Sequence, residues 1–214
     1  MLLLGHTGIT IGITWLAQES AAWLKALPVQ RQQLQVEAQE ADPPVEKPRP
    51  ALDYRLLLVG SMLPDIIDKP LGVWLLRESL SNGRIFGHTL VFAVLLLGAG
   101  LYLYLSCRRV GVLCLTLGTL AHLVLDQMWL NPRTLLWPLY GLSFDRVAVE
   151  GWLPRILNSL VTEPAVYIPE IIGAILLALF FWNLIRRGRL NSFLRSGRVE
   201  SHLERKQTVG EYRD

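Results

Sequence analysis

Three long apolar stretches constrain this chain more than any other feature of its sequence. They lie at residues 87–106, 111–130 and 166–185. Each has about 20 residues, and an α-helix of about 20 residues is as long as the hydrocarbon core of a bilayer is thick. The chain as a whole is 51% hydrophobic, which is above the usual content of soluble domains. We therefore expect an all-α integral membrane protein.

Two weaker apolar windows precede these stretches, at 2–27 and at 54–63, where the second ends at Pro64. Helices in these windows would be shielded by the stronger three, so the sequence predicts a bundle of about five helices. The first window has no basic residue ahead of it and no clear small-residue cleavage motif. We expect it to stay in the protein rather than to act as a cleaved signal peptide.

The arginines next to the strong windows predict the topology. Arg108 and Arg109 fill the turn between the first two windows, and residues 186, 187 and 189 are arginines that follow the last one. Since Lys and Arg gather on the cytoplasmic side of membrane helices, both places are predicted to be cytoplasmic. The chain is then a multi-pass inner membrane protein, in which residues 87 and 130 face the extracytoplasmic side.

The composition divides the chain into a membrane domain and a tail. Residues 1–185 form the predicted membrane domain, and the Gln-, Glu- and Pro-rich stretch 29–50 within it is predicted to be a cytoplasmic linker. Residues 186–214 are basic and polar, and we expect a disordered cytoplasmic tail there.

Six ionisable residues interrupt the apolar frame, and their arrangement matters more than any one of them, because a lone histidine in a helix is more often a hydrogen-bonded core residue than a ligand. Pairs three or four residues apart share one face of a helix. The predicted topology brings all six to the extracytoplasmic face. A carboxylate in hydrocarbon costs a few kcal/mol, so a compensating partner such as a divalent cation is expected. The residues are His6, Asp65, Asp68, His88, His122 and Asp126.

Three imidazoles and three carboxylates exceed the four ligands of a structural zinc site. They suit two or three zinc ions with positions open to water, and another divalent metal would also fit. Such clusters are hydrolytic, because water bound to zinc loses a proton near neutral pH. Asp68 is predicted to be a ligand or a bridging carboxylate with a catalytic role. Glu170 could add a ligand or act as a general base, and it could equally be a structural carboxylate.

Two cationic residues flank the predicted metal site. Lys69 and Arg84 are candidates for holding a substrate phosphate, and the planar guanidinium of Arg84 suits bidentate contacts. Both side chains could instead extend to lipid headgroups.

Three motifs carry a family resemblance. The stretches GSMLPDIIDKPLG, NGRIFGHTLVF and GTLAHLVLDQMWLNPRTLLWPLYG resemble those of the YdjM-type, LexA-regulated family of membrane-bound metal-dependent hydrolases, over about residues 1–185. That family is in turn similar to the all-helical zinc-dependent phospholipase C and single-strand nuclease fold. The resemblance implies a helical metal site that acts on phosphodiesters, with the six ionisable residues above as the matching positions.

The predicted function is hydrolysis of a phosphoester by a metal-activated water. Because the site lies at headgroup depth, we expect a lipid or lipid-linked substrate, membrane lipid as the partner, and no nucleic acid. Two alternatives remain open. One is a non-catalytic metal-binding or structural membrane protein, such as a divalent-cation carrier. In the other, the His and Asp residues pair with one another to fix the helices without an ion.

Overall fold

The computed structural model describes residues 2–25, 51–147 and 151–199. Within these ranges the chain is all-α, as predicted, with eight helices and no strand. Five helices have 15 to 23 residues, and the other three are shorter. In chain order they are α1 (Leu3–Lys25), α2 (Tyr54–Lys69), α3 (Leu90–Cys107), α4 (Gly111–Leu125), α5 (Pro132–Leu135), α6 (Trp152–Thr162), α7 (Pro164–Arg186) and α8 (Leu190–Ser196).

Helices α3 and α7 are long and apolar enough to cross a membrane. Only 11% of the apolar window of α3 and 22% of that of α7 is buried, whereas the core helix of a soluble protein would be mostly buried. The third predicted span is shorter than expected, because α4 ends at Leu125 instead of reaching residue 130. Gln127 adopts a left-handed conformation (φ 51°) and directs the chain into the 3₁₀ turn Met128–Leu130.

Helix α2 passes through Pro64, where the sequence predicted its end. A proline has no N–H and cannot bond to the carbonyl four residues earlier, which here belongs to Gly60. The Thr119 hydroxyl of α4 donates to that carbonyl over 3.3 Å. The helix continues to Lys69 and is followed by the π-helical turn Pro70–Leu75, so both motif aspartates lie on helical backbone.

The main packing of the long helices is α2 against α4 and α1 against α7. In addition, α3 packs against α4 and α1 contacts α2. Glycines permit the close approach. A β-carbon added at Gly118 of α4 would lie 2.5 Å from both the Leu57 oxygen and the Ser61 nitrogen of α2. At this crossing the two helix backbones are in direct contact, which holds the residues of α2 and α4 in a fixed relative position.

An apolar cluster fills the interior between α1, α2, α7 and α8. Its buried members are Ile11, Tyr54, Leu57, Phe180, Leu184, Phe193 and Val199.

The first part of the predicted tail is folded, in contrast to the expected disorder. Helix α8 places the Phe193 ring against Phe180, and the Gly197 carbonyl accepts a 2.8 Å hydrogen bond from the Tyr54 N–H. A basic composition gave no sign of these apolar contacts. Residues 200–214 of the predicted tail and the predicted linker 29–50 lie outside the described residues.

Candidate metal centre

The six predicted ligands come from the ends of three helices and from the loop before a fourth, and they meet at one end of the bundle. His6 lies in the first turn of α1, the aspartates in the last turns of α2, His88 just before α3, and His122 with Asp126 at the end of α4. The side chains are almost wholly removed from solvent. His6, Asp68, His88 and His122 are 0% exposed, and Asp65 is 7% exposed. A buried cluster of this composition could hold a metal ion.

His88 and His122 point their Nε2 ring nitrogens at each other. The Nε2 atoms of His88 and His122 are 3.2 Å apart. The Nδ1 of His122 lies 2.7 Å from the Ser61 carbonyl oxygen, and the Nδ1 of His88 lies 2.7 Å from Asp68 Oδ2. Since a carbonyl and a carboxylate only accept, each Nδ1 carries the hydrogen. In the neutral rings both Nε2 lone pairs then converge, and a cation between them removes the repulsion.

The separation of these nitrogens suits a metal ion. Two ligands about 2.0–2.1 Å from a tetrahedral zinc ion are about 3.3–3.4 Å apart, close to the observed distance. Asp65 Oδ1 approaches the same point, at 3.7 Å from His88 Nε2 and 3.9 Å from His122 Nε2. These three residues form one of two donor groups in the cluster.

His6, His122 and Asp126 form the second group. The His6 ring stacks on the His122 ring with centroids 4.0 Å apart, and His6 Nε2 is 3.1 Å from Asp126 Oδ1. That pair is at ion-pair distance, and the other ring nitrogen of His6, Nδ1, has no hydrogen-bond partner among the described residues. A buried polar atom without a partner costs about 1–3 kcal/mol, so His6 also fits a ligand.

His122 belongs to both groups, and this limits the number of ions. Its Nδ1 is committed to the Ser61 carbonyl, so only Nε2 is left to bind a metal. One nitrogen lone pair binds one ion. The described cluster therefore fits one ion, or two ions of which only one has His122 as a ligand.

Asp68 differs from its predicted role as a ligand or bridging carboxylate. Its Oδ1 accepts from the Gly87 N–H at 2.8 Å. Its Oδ2 accepts from the backbone N–H of Ile85 at 2.7 Å and of His88 at 3.2 Å, and also from the His88 ring. Both oxygens are thus used in fixing the loop before α3. Asp68 orients the His88 ring, as carboxylates commonly do behind a metal-binding histidine.

Glu170 is bonded as a structural carboxylate, the predicted alternative to a ligand or a general base. Its Oε1 accepts from the N–H groups of Leu2 at 2.6 Å and Gly5 at 3.0 Å, and its Oε2 accepts from the Leu4 N–H at 2.9 Å. A carboxylate at this position interacts favourably with the positive end of the α1 dipole. With both oxygens at the start of α1, Glu170 is not placed as a ligand or as a general base.

Lys69 and Arg84 lie at the partly exposed edge of the cluster. Lys69 Nζ is 2.6 Å from Asp65 Oδ2, and Arg84 Nη2 is 2.7 Å from Asp126 Oδ2. Their side chains are 28% and 43% exposed, in contrast to the buried carboxylates. Both cations are therefore next to the candidate ligands, and their binding of a substrate phosphate stays a prediction.

Sequence reasoning missed the backbone groups that fix the two histidines. The Ser61 carbonyl orients His122, and the loop N–H groups of residues 85–88 hold Asp68. Every residue has these groups, so no residue type marks them. A small residue one turn before Asp65, where a neighbouring helix must come close, is a weak signal for Ser61.

The bundle has two apolar helices of membrane-spanning length and a buried polar cluster at one end, which is the architecture of a membrane-embedded helical protein with a polar centre. A family model described as YdjM inner membrane protein matches residues 32–191. This is about three quarters of the 214 residues, and the chain belongs to that family, as the motifs predicted. The matched range starts within the predicted linker and leaves His6 outside. No curated protein and no solved structure shows a significant match to the chain.

Proposed function

We propose that this chain is a membrane-bound metal-dependent hydrolase that acts on a phosphoester in a lipid or lipid-linked substrate. One observation carries the proposal. The Nε2 atoms of His88 and His122 face each other at 3.2 Å while both Nδ1 hydrogens are given to fixed acceptors. Two neutral rings repel each other in that arrangement, and a metal ion bound by both nitrogens would remove the repulsion.

The donor set favours zinc, which imidazole nitrogen and carboxylate oxygen bind well. His88, His122 and Asp65 would hold the ion, and His6 and Asp126 would complete this site or provide a second. When bound, zinc supplies Lewis acidity and an activated water. The chain contributes the orientation of the ligand rings, through Asp68 and the Ser61 carbonyl, and a centre from which bulk water is largely excluded.

The charges around the cluster favour an anionic substrate. The ammonium of Lys69 and the guanidinium of Arg84 occupy its partly exposed edge, and an Arg fork matches phosphate oxygens. The centre lies at one end of a bundle that belongs to an inner membrane family. Lipid headgroups are the phosphoesters that such a centre meets at highest local concentration.

The apolar interior argues against a carrier. A path for a cation needs polar groups that continue through the bilayer. Toward the opposite end of the bundle from the cluster, the space between the helices is filled by Ile11, Leu57, Phe180 and Leu184, each at most 1% exposed. The other alternative, in which the polar residues pair only with one another, leaves the Nδ1 of His6 without a hydrogen-bond partner among the described residues and leaves the Nε2 atoms of His88 and His122 facing each other.

Elemental analysis of the detergent-purified protein tests the proposal first. We expect at least one zinc equivalent in the wild type and in the control Asp145→Asn, whose carboxylate is exposed and paired with Arg133, and one equivalent fewer in His122→Ala. A panel of phosphomonoesters, phosphodiesters and lipid pyrophosphates should then show turnover that a chelator abolishes in the wild type. No bound metal, even after zinc is offered, would refute the metal centre. Bound metal without turnover of any phosphoester would favour the non-catalytic alternative.

A further inference from the structure

A carboxylate of α7 is bonded to the start of α1, 165 residues away in the chain. Glu170 is 8% exposed, and its two oxygens accept the backbone N–H groups of Leu2, Leu4 and Gly5. The first N–H groups of a helix have no partner within that helix. The cost of a carboxylate in an apolar helix and the cost of unpaired N–H groups at a helix start are therefore both removed by one contact.

This contact fixes the position of α1 along and around its axis. Adjacent residues of a helix differ by about 1.5 Å in height and about 100° in direction, so a shift by one residue would break all three bonds. Backbone contact at the same level strengthens the restraint. A β-carbon at Gly173, one turn after Glu170, would collide with the Leu4 carbonyl and would lie 2.8 Å from the Gly5 Cα.

His6 directly follows the last of the three donors. Its ring depends on the placement of α1, because it reaches across to the end of α4, where it stacks on the His122 ring and its Nε2 lies 3.1 Å from Asp126 Oδ1. We propose that Glu170 is a positioning residue for the metal centre, which sets α1 against α7 and so delivers His6 to the cluster. The expected effect of Glu170 on metal binding rests on the proposed function, whereas its expected effect on the position of His6 does not.

Metal affinity provides the first test, by competition between the purified protein and a zinc chelator. Removal of a group that orients a ligand typically weakens metal binding about 10- to 100-fold, and we expect about a tenfold loss in Glu170→Ala. Glu170→Gln should lose less, because one amide oxygen can still accept the two bonds now made to Oε1. The matched control is Glu163→Ala, seven residues earlier in the chain, whose carboxylate accepts from Ser159 instead and which should bind zinc as the wild type does.

A double-mutant cycle separates positioning from general destabilisation. If Glu170 acts through His6, Glu170→Ala should weaken zinc binding in the wild type but not in a His6→Ala background. An equal loss in both backgrounds would show that Glu170 acts on the cluster as a whole, and this would overturn the proposal. Unchanged affinity in Glu170→Ala with His6 present would also overturn it.

A metal-free readout keeps the proposal testable if zinc does not bind. In a Cys107→Ser background the remaining native thiol, Cys114, is buried, and His6→Cys places a reporter at a position that is 0% exposed. In chelator, we expect a thiol reagent to label this cysteine at least tenfold faster when Glu170→Ala is added, and at an unchanged rate with Glu163→Ala. Equal labelling rates in all three proteins would refute the positioning role of Glu170. Absence of zinc together with faster labelling would refute the proposed function and leave the positioning role in place.

Discussion

The carboxylate of Asp68 accepts four hydrogen bonds from the loop before α3, whereas the carboxylate of Asp65, one turn earlier on α2, has one oxygen directed at two histidines. Each residue therefore has a distinct part in the centre. Asp65 offers a donor atom, and Asp68 fixes the ring that offers another. The same division separates His6, which offers a donor, from Glu170, which places it.

Replacement of Asp68 should weaken metal binding without removal of a ligand. In Asp68→Asn one carboxylate oxygen becomes an amide NH₂, which cannot accept, so either the Gly87 N–H or the His88 ring loses its partner. We expect zinc affinity to fall about 10- to 100-fold, measured by competition with a chelator, while Asp145→Asn retains wild-type affinity. Wild-type affinity in Asp68→Asn would contradict the orienting role.

The sequence predicted which polar side chains gather but not what each one does. His6, His88 and His122 could be placed at one end of the bundle, because helix direction follows from the arginines and the apolar windows. The roles of Asp68 and Glu170 could not be predicted, since their partners are backbone N–H groups from distant parts of the chain. Residue type alone does not distinguish a carboxylate that binds a cation from one that binds a helix start.

The helices α2 and α4 hold the centre together, because α2 carries Asp65 and α4 carries His122. Their backbones meet at Gly118, which lies one turn before His122 and faces the Ser61 nitrogen. Any increase in the distance between these helices should also move the Ser61 carbonyl away from the His122 ring. Helix packing and the geometry of the candidate metal centre are thereby linked at one crossing.

A single methyl group tests this link. Gly118→Ala should destabilise the protein by about 1–3 kcal/mol, as overpacking usually does, and should weaken zinc binding. The control is Gly98→Ala in α3, where nothing lies within 4 Å of an added β-carbon and a gain of about 0.5–1 kcal/mol in helix stability is expected. Both are measured as thermal unfolding in detergent and as chelator competition. Equal stability of the two variants would argue against a tight crossing.

Hydropathy predicted the presence of the long helices better than their ends. The window 111–130 was one full span by composition, yet the helix stops at Leu125 because Gln127 takes a left-handed conformation. In the opposite direction, Pro64 indicated an end to α2, yet the helix continues to Lys69, and the Gly60 carbonyl that Pro64 leaves without an N–H accepts from the Thr119 hydroxyl. Both errors have the same physical origin, since a helix end is decided by single hydrogen bonds that an average over a window does not contain.

The whole molecule has two chemically different ends. The buried His/Asp cluster lies at one end. At the other end Arg108 and Arg109 follow α3, Arg186 is the last residue of α7, and Arg187 comes next. Arginines next to apolar helices favour the cytoplasmic side. The arrangement of the described helices therefore predicts an extracytoplasmic metal centre in the inner membrane.

The native cysteines allow this orientation to be measured. Cys107 is exposed at the arginine end, whereas Cys114 is buried, and Asp145 is exposed beside Asn82 near the cluster end. A membrane-impermeant maleimide should label an Asp145→Cys variant lacking Cys107 in intact spheroplasts, and it should label Cys107 of the wild type only after lysis. The reverse pattern would place the centre on the cytoplasmic side, where its substrate would be a phosphoester of the inner leaflet or the cytosol. Because the candidate ligands are positioned by contacts within the bundle, that result would change the proposed substrate pool without changing these residues.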